Sequence, residues 1–263
     1  MSSRNTSISF DRAADFYDRT RSLTAEAEVA QTTLLVKELE GRSTLEIGVG
    51  TGRIALPLHA RGIEMIGLDL SVAMMSKLIE RAGGSAFPLV RGDALSLPFR
   101  DGSVDAVIAS WVLHLVADWR VVVGEAMRVL RADGRILVTE GGPICGVNIP
   151  NQITRRFREV SGVTGWPRGP VEIGELDAEM ARHGATAREL PPVSERRTET
   201  IEAHIAGLEA GFFSVSWDLT EDQRHAAAEE VRRWARAEFG DLDEPRTIET
   251  PHVWKVYDRK PTV

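Results

Sequence analysis

Residues 45–52 read Leu45-Glu46-Ile47-Gly48-Val49-Gly50-Thr51-Gly52, an apolar run that opens into a loop with glycine at every second position. Glycine has no Cβ and adopts positive φ freely, so such a loop lets backbone amides approach a bulky ligand. The next apolar run ends in an acid, Ile66-Gly67-Leu68-Asp69. A carboxylate placed there accepts both hydroxyls of a ribose, and charge-assisted hydrogen bonds are stronger than neutral ones. A third run ends in Gly92-Asp93-Ala94. Asp93 suits the exocyclic amine of adenine, and the Ala94 amide suits a ring nitrogen. Leu70 and Met74 offer apolar surface to the faces of such a base. Glu46, inside the strand before the glycines, draws a cationic group. Together these residues describe a site for a nucleoside that carries positive charge.

The elements that must position them alternate regularly between 43 and 140. Strands are expected at Thr44–Ile47, Glu64–Leu68, Ala86–Arg91, Val104–Ala109 and Arg135–Thr139. Helical patterns fall at Arg53–Arg61, Val72–Arg81 and Trp119–Leu130. Repeated strand–helix–strand units imply a parallel sheet with helices on both faces. The strands are nearly all apolar rather than alternating, as strands covered on both sides are. Ser71 suits the N-cap of the second helix. Ala132-Asp133-Gly134 reads as the turn into the fifth strand. In open α/β sheets ligands bind at the carboxyl ends of the strands. Those ends also hold Ser110, Trp111 and His114 after the fourth strand, and Glu140, Gly141 and Gly142 after the fifth.

Composition narrows the function classes. The 263 residues are 43% hydrophobic and 27% charged, which suits a soluble globular enzyme. A net charge of −7 argues against nucleic acid as partner, since such proteins carry a basic face. Arg155, Arg156 and Arg158 form one small basic cluster that reads as a solvated helix face. The single cysteine, Cys145, permits neither an intrachain disulfide nor a multi-cysteine metal site. With no signal-peptide pattern at the N-terminus, a cytoplasmic location is expected. The longest apolar stretch, 106–117, is too short to span a bilayer.

Outside the alternating region, residues 10–40 look helical, with Phe10, Ala13, Ala14, Tyr17 and Arg21 on about one face. Pro143, Pro150, Pro167 and Pro170 punctuate 141–180. Residues 186–199 suit a strand. Helices are expected around Ile201–Ala210 and Glu221–Phe239, the second opened by a capping box at Thr220-Glu221-Asp222-Gln223. Pro251–Tyr257 reads as a last strand.

Five segments in order resemble the class I S-adenosylmethionine-dependent methyltransferases, most closely the small-molecule branch similar to ubiquinone/menaquinone-type enzymes. They are Leu45–Arg53, Gly67–Ser71 with Met74-Met75, Gly92–Phe99, Asp101–Val107 and Val129–Arg135. The leading Phe10–Asp18 resembles that family's N-terminal lid helix. The resemblance implies a doubly wound, mostly parallel seven-stranded sheet of order 3-2-1-4-5-7-6 with an antiparallel last strand. It implies a single Rossmann-like domain over 1–263: a lid at 1–42, a cofactor-binding core at 43–140, a substrate-side cap at 141–250 and the final strand at 251–258. The implied cofactor is S-adenosylmethionine, leaving as S-adenosylhomocysteine, with no metal. Its expected contacts are Tyr17, Arg21, Glu46, Gly48, Gly50, Gly52, Asp69, Leu70, Met74, Gly92, Asp93, Ala94 and Ser110. The expected partner is a small-molecule acceptor, with no nucleic acid and no membrane; oligomeric state stays open.

Methyl transfer from a sulfonium is an in-line displacement in which the protein supplies alignment and electrostatics. A general base is needed only when the acceptor must lose a proton. His114 is the candidate, since its ordinary pKa suits proton transfer near neutrality. Glu140 and Cys145 are weaker candidates. Structural readings stand beside these. Asp69 could be a helix cap, Asp93 a turn residue, Glu46 a neutraliser of a buried partner, and Tyr17 and His114 packing residues. Trp111, Trp166, Phe212, Phe213 and Trp217 either line an acceptor pocket or cement the core. A nicotinamide-dependent oxidoreductase would want Gly-x-Gly-x-x-Gly, but Gly52 comes one residue early and Arg53 holds the third glycine's place. A cofactor-binding protein without catalysis also remains open, since fold alone never proves turnover.

Overall fold

The computed structural model describes residues 9–139, 148–164, 169–170 and 174–260. The chain divides into two compact units. The first comprises residues 1–140, 167–193 and 253–263, and the second comprises 141–166 and 194–252.

The first unit is built on strands β1 (Ser43–Ile47), β2 (Glu64–Asp69), β3 (Leu89–Arg91), β4 (Val104–Ser110), β5 (Leu130–Thr139), β6 (Ala185–Glu189) and β9 (Trp254–Arg259). Their order across the sheet is β3-β2-β1-β4-β5-β9-β6. β1 to β5 run parallel, and β9 runs antiparallel between β5 and β6. Neighbouring residues along one strand feed different cores. Val107 and Ala109 of β4 join Leu45, Ile47, Ile136 and Val138 on one side. Ala106 and Ile108 join Met65, Leu137, Trp254 and Val256 on the other. That double burial is why the strands read as continuous apolar runs. The helices of this unit are α1 (Tyr17–Arg21), α2 (Ala25–Leu39), α3 (Ala55–Ala60), α4 (Val72–Ala82), α5 (Trp119–Val129) and α7 (Glu175–Arg182). Ser71 caps α4 as expected, its hydroxyl accepting from the Met74 amide at 3.1 Å. The helical 10–40 segment breaks at Ser22–Thr24, where Thr24 caps α2.

The second unit packs α6 (Ile149–Ser161), α8 (Ile201–Glu209) and α9 (Glu221–Phe239) around Phe157, Ile205, Leu208 and Val231. A ribbon of β7 (Val193–Glu199) and β8 (Arg246–His252) completes it. The capping box at Thr220 and Gln223 forms. Arg156 pairs with Glu159 and Glu230, so this part of the arginine cluster is neutralised on its helix face.

Four boundaries depart from the sequence reading. β3 begins at Leu89 rather than Ala86, because Pro88 has no N–H for the ladder; its carbonyl still accepts from the Gly67 amide. Ala132-Asp133-Gly134 is not a turn before β5 but lies within it, where the pairing register with β4 shifts. Residues 186–199 hold two strands, separated by Pro191-Pro192, that go to different sheets. The final strand is Trp254–Arg259 rather than 251–258, because Pro251 and His252 belong to β8. Within 141–250, α7 and β6 belong to the main sheet unit.

Candidate active site

Four loops and the N-terminal segment converge at the carboxyl ends of β1, β2, β3 and β4. The cavity between them encloses about 640 Å³, counted to its open side, within the first unit. Ten of the expected residues line it: Tyr17, Gly48, Gly50, Asp69, Leu70, Met74, Gly92, Asp93, Ala94 and Ser110. Phe10, Trp111, Val112, Leu115 and Val116 also line it and were not among the expected contacts. Phe10 carried a helical-face signal and opens the segment that resembles a lid helix. The 111–116 stretch carried an apolar signal that reads equally as core.

The glycine loop is shaped by what it must pass. Gly48 has φ +70°, and a Cβ there would lie 2.2 Å from Val112 Cγ2. Its amide donates to the Leu68 carbonyl at 2.7 Å, which ties the loop to β2. Gly52 has a different purpose from the expected cofactor contact. It does not line the cavity, and a Cβ there would sit 2.8 Å from Leu78 Cγ, so this glycine lets α3 and α4 close up.

Asp69 ends β2 and reaches across to the glycine loop. One carboxylate oxygen accepts from the Gly50 amide and the other from the Ser71 amide, both at 2.8 Å. A carboxylate has about four lone-pair positions, so both oxygens retain acceptor capacity toward the cavity. Burial raises its pKa, opposed by those amides and assisted by Asp11. Glu46 is 2% exposed in β1, one residue before the lining Ile47, and does not itself line the cavity. Its Oε2 is buried and has no hydrogen-bond partner. Burial pushes its pKa well up; Arg53 opposes that and Asp69 adds to it. Ser110 Oγ is likewise buried without a partner. A buried Glu46 whose pKa the neighbouring Asp69 raises further, with orphaned oxygens on Glu46 and Ser110, fits a ligand bringing positive charge and hydroxyl or ammonium donors.

The loop after β3 is held from α5. Asp93 accepts from the Leu95 amide at 3.0 Å, and Glu125 accepts from the Leu97 amide at 2.8 Å. Arg128 donates to the Leu97 and Phe99 carbonyls at 2.9 and 2.8 Å. The N-terminal segment is held by its acids. Asp11 accepts from the Ser71 hydroxyl at 2.5 Å, and Asp18 from the Thr51 hydroxyl at 2.5 Å. Phe10 and Tyr17 meet edge to face at 5.9 Å.

His114 lies on a single 3-10 turn, Leu113–Leu115, whose neighbours line the cavity while its own ring does not. Burial, assisted by the Arg21 charge, lowers its pKa to about 4. Arg21 is also absent from the lining. An imidazole harder to protonate when folded contributes stability that is present above the ordinary histidine pKa and lost as pH falls toward 4. His114→Gln is expected to flatten that acid limb by about 2 kcal/mol, read from urea unfolding at about pH 5 and about pH 7. An unchanged acid limb would show that His114 is not charged on unfolding. Phe213 packs on the second unit's core, and Trp217 donates to the Gly211 carbonyl at 2.9 Å. Neither these nor Phe212 lines the cavity. Glu140, Cys145 and Trp166 lie outside the described residues.

The sequence model of the methyltransferase domain family matches residues 45–138. The match runs from β1 to β5. The chain is 35% identical over 144 residues to a demethylmenaquinone methyltransferase of Thermobifida fusca, covering 52% of this chain and 61% of the relative. The chain therefore spans about six tenths of that relative's length. The YcgJ protein of Bacillus subtilis superposes with a TM-score of 0.61 at 20% identity, over 89% of this chain and 100% of that one. Haemonchus contortus phosphoethanolamine N-methyltransferase 2 in complex with S-adenosyl-L-methionine superposes at 0.54 and 17% identity, over 96% of this chain and 57% of that one. At these identities the structural likeness establishes the fold alone, and the matched residues 45–138 supply β1 to β5 of its sheet. Among the described residues, no helix is long and apolar enough to cross a membrane.

Proposed function

We propose that this chain transfers a methyl group from S-adenosylmethionine to a small apolar acceptor in the cytoplasm. The observation that carries this reading is Asp69, seated at the end of β2, bonded to the Gly50 amide and open to a cavity that also holds Asp93. When bound, the cofactor supplies a methyl group activated on a sulfonium. Asp69 holds the ribose hydroxyls, Asp93 and the Ala94 amide take the adenine edge, and Leu70 and Met74 flank its faces. The Gly48 and Gly50 backbone lies along the amino-acid tail, whose ammonium matches the orphaned Glu46 oxygen and whose sulfonium gains from the same negative field. Tyr17 and Phe10 exclude water from above.

The acceptor class follows from Trp111, Val112, Leu115 and Val116, which make the cavity wall beyond β4 apolar. That wall suits a flat or aliphatic molecule such as a quinone precursor, the substrate class named for the Thermobifida fusca relative. Nucleic acid is a poor partner for a chain of net charge −7. No base is required if the acceptor's nucleophile is already deprotonated. His114 is in its accepting form at neutral pH but weakly basic, far from the matched pKa an efficient base needs. If it is nonetheless the base, His114→Gln lowers turnover by about 10²–10⁴-fold.

Isothermal calorimetry tests the assignment. S-Adenosylhomocysteine is expected to bind with micromolar affinity, about −8 kcal/mol, while NAD gives no saturable heat. The reverse result removes the methyltransferase reading.

A further inference from the structure

Arg53 follows the glycine loop and is absent from the cavity lining, yet it meets two residues that form it. Its guanidinium carbon lies 5.7 Å from the centre of the Tyr17 ring and 5.9 Å from that of Trp111. Both fall within cation–π reach. Its Nη1 also donates to the Arg21 carbonyl. Tyr17 and Arg21 are the ends of α1, so Arg53 grips the whole of that short helix from below. Trp111 is the one described non-glycine residue with positive φ, at +59°. A bulky side chain there costs about 1–3 kcal/mol and persists only where its surroundings over-determine it. Val112, wedged against Gly48, is one such constraint; the Arg53 guanidinium against the indole is another.

We infer that Arg53 is a positioning residue that fixes α1 and the strained Trp111 turn relative to each other, so that both walls of the cavity are set together. The effect on ligand release rests on the cofactor reading above; the effect on the lid does not. The cation against the two rings and the donor to the Arg21 carbonyl carry the hold, and the guanidinium plane adds to it. Lysine keeps the cation and a donor but not the plane.

The test compares wild type, Arg53→Met and Arg53→Lys. Without ligand, trypsin is expected to cut after Arg19 and Arg21, both in α1, about tenfold faster in Arg53→Met, a loss of about 1.4 kcal/mol in holding α1 down. Arg53→Lys is expected to stay within about threefold of wild type. Cleavage elsewhere in the chain should keep the wild-type rate, which separates release of α1 from general unfolding. With S-adenosylhomocysteine bound, stopped-flow tryptophan fluorescence should report release about tenfold faster in Arg53→Met and largely restored in Arg53→Lys. Wild-type cleavage of α1 in Arg53→Met, or acceleration spread evenly over the chain, overturns the inference. If wild type shows no heat with S-adenosylhomocysteine, the cofactor reading fails, and the ligand-free cleavage still decides the role of Arg53.

Discussion

Asp69→Asn is expected to weaken S-adenosylhomocysteine binding by about two orders of magnitude. A hydrogen bond to a charged group contributes about 1.5–3 kcal/mol, and Asp69 is assigned two of them, one to each ribose hydroxyl. Loss of about 3 kcal/mol is a factor of about 150 in affinity. Part of the effect arrives through the loop, because the same carboxylate receives the Gly50 and Ser71 amides. Asparagine has one acceptor oxygen for these two donors, so one amide loses its partner. Fold stability should change much less than affinity. Burial already disfavours the ionised carboxyl, as its raised pKa shows, so removing the charge relieves one term while it loses another. Calorimetry and thermal melting on the same sample separate the two. Affinity within threefold of wild type would mean that Asp69 does not hold the ligand.

Glu46→Gln is expected to move stability and affinity in opposite directions. The folded pKa of Glu46 lies well above the ordinary glutamate value of 4.5. The folded state therefore holds its proton more tightly than the unfolded state does, and the free protein loses stability as pH rises above about 4.5 toward the folded pKa. Glutamine removes that loss, so the variant should melt a few degrees higher than wild type at about pH 8, one kcal/mol being about 2–4 °C for a chain of this size. Ligand binding should weaken by about tenfold, the carboxylate's attraction for an ammonium being lost. For wild type, bringing a cation to this carboxyl favours its ionised form, so binding releases a proton and affinity rises with pH through the same window. Calorimetry in two buffers of different ionisation enthalpy reads that proton directly. Equal heats in both buffers, or an equal dependence in the variant, would place the cation elsewhere. Opposite shifts of stability and affinity would mark a stability–function trade at this carboxyl.

Much of this site was legible in the chain because its chemistry is local. Gly48, Gly50, Asp69, Asp93 and Ala94 sit at strand ends, and a strand end is marked by an apolar run stopping, which needs no knowledge of partners. Ser71 and Thr220 cap their helices through contacts three residues away, so those too are written locally. The strand order came with the family resemblance, and the structure realises it with β9 antiparallel between β5 and β6.

What escaped was set by residues distant in sequence. Pro191-Pro192 marks a break, but nothing near it says that β6 pairs with β9 while β7 pairs with β8. Gly52 follows the same glycine spacing as Gly48, yet one faces Leu56 and Leu78 and the other Val112. Arg53 reads as a misplaced residue in a fingerprint until α1 and the Trp111 turn are brought to it from either side. His114 stands just after β4 in the sequence, and only the fold buries it beside Arg21, which lowers its pKa. The sequence alone determined which groups stand at the strand ends, since apolar runs and glycine spacing are properties of neighbours. Only the tertiary structure decided which of them face the cavity and with what charge, since burial, Coulomb fields and backbone strain depend on atoms brought from elsewhere in the chain.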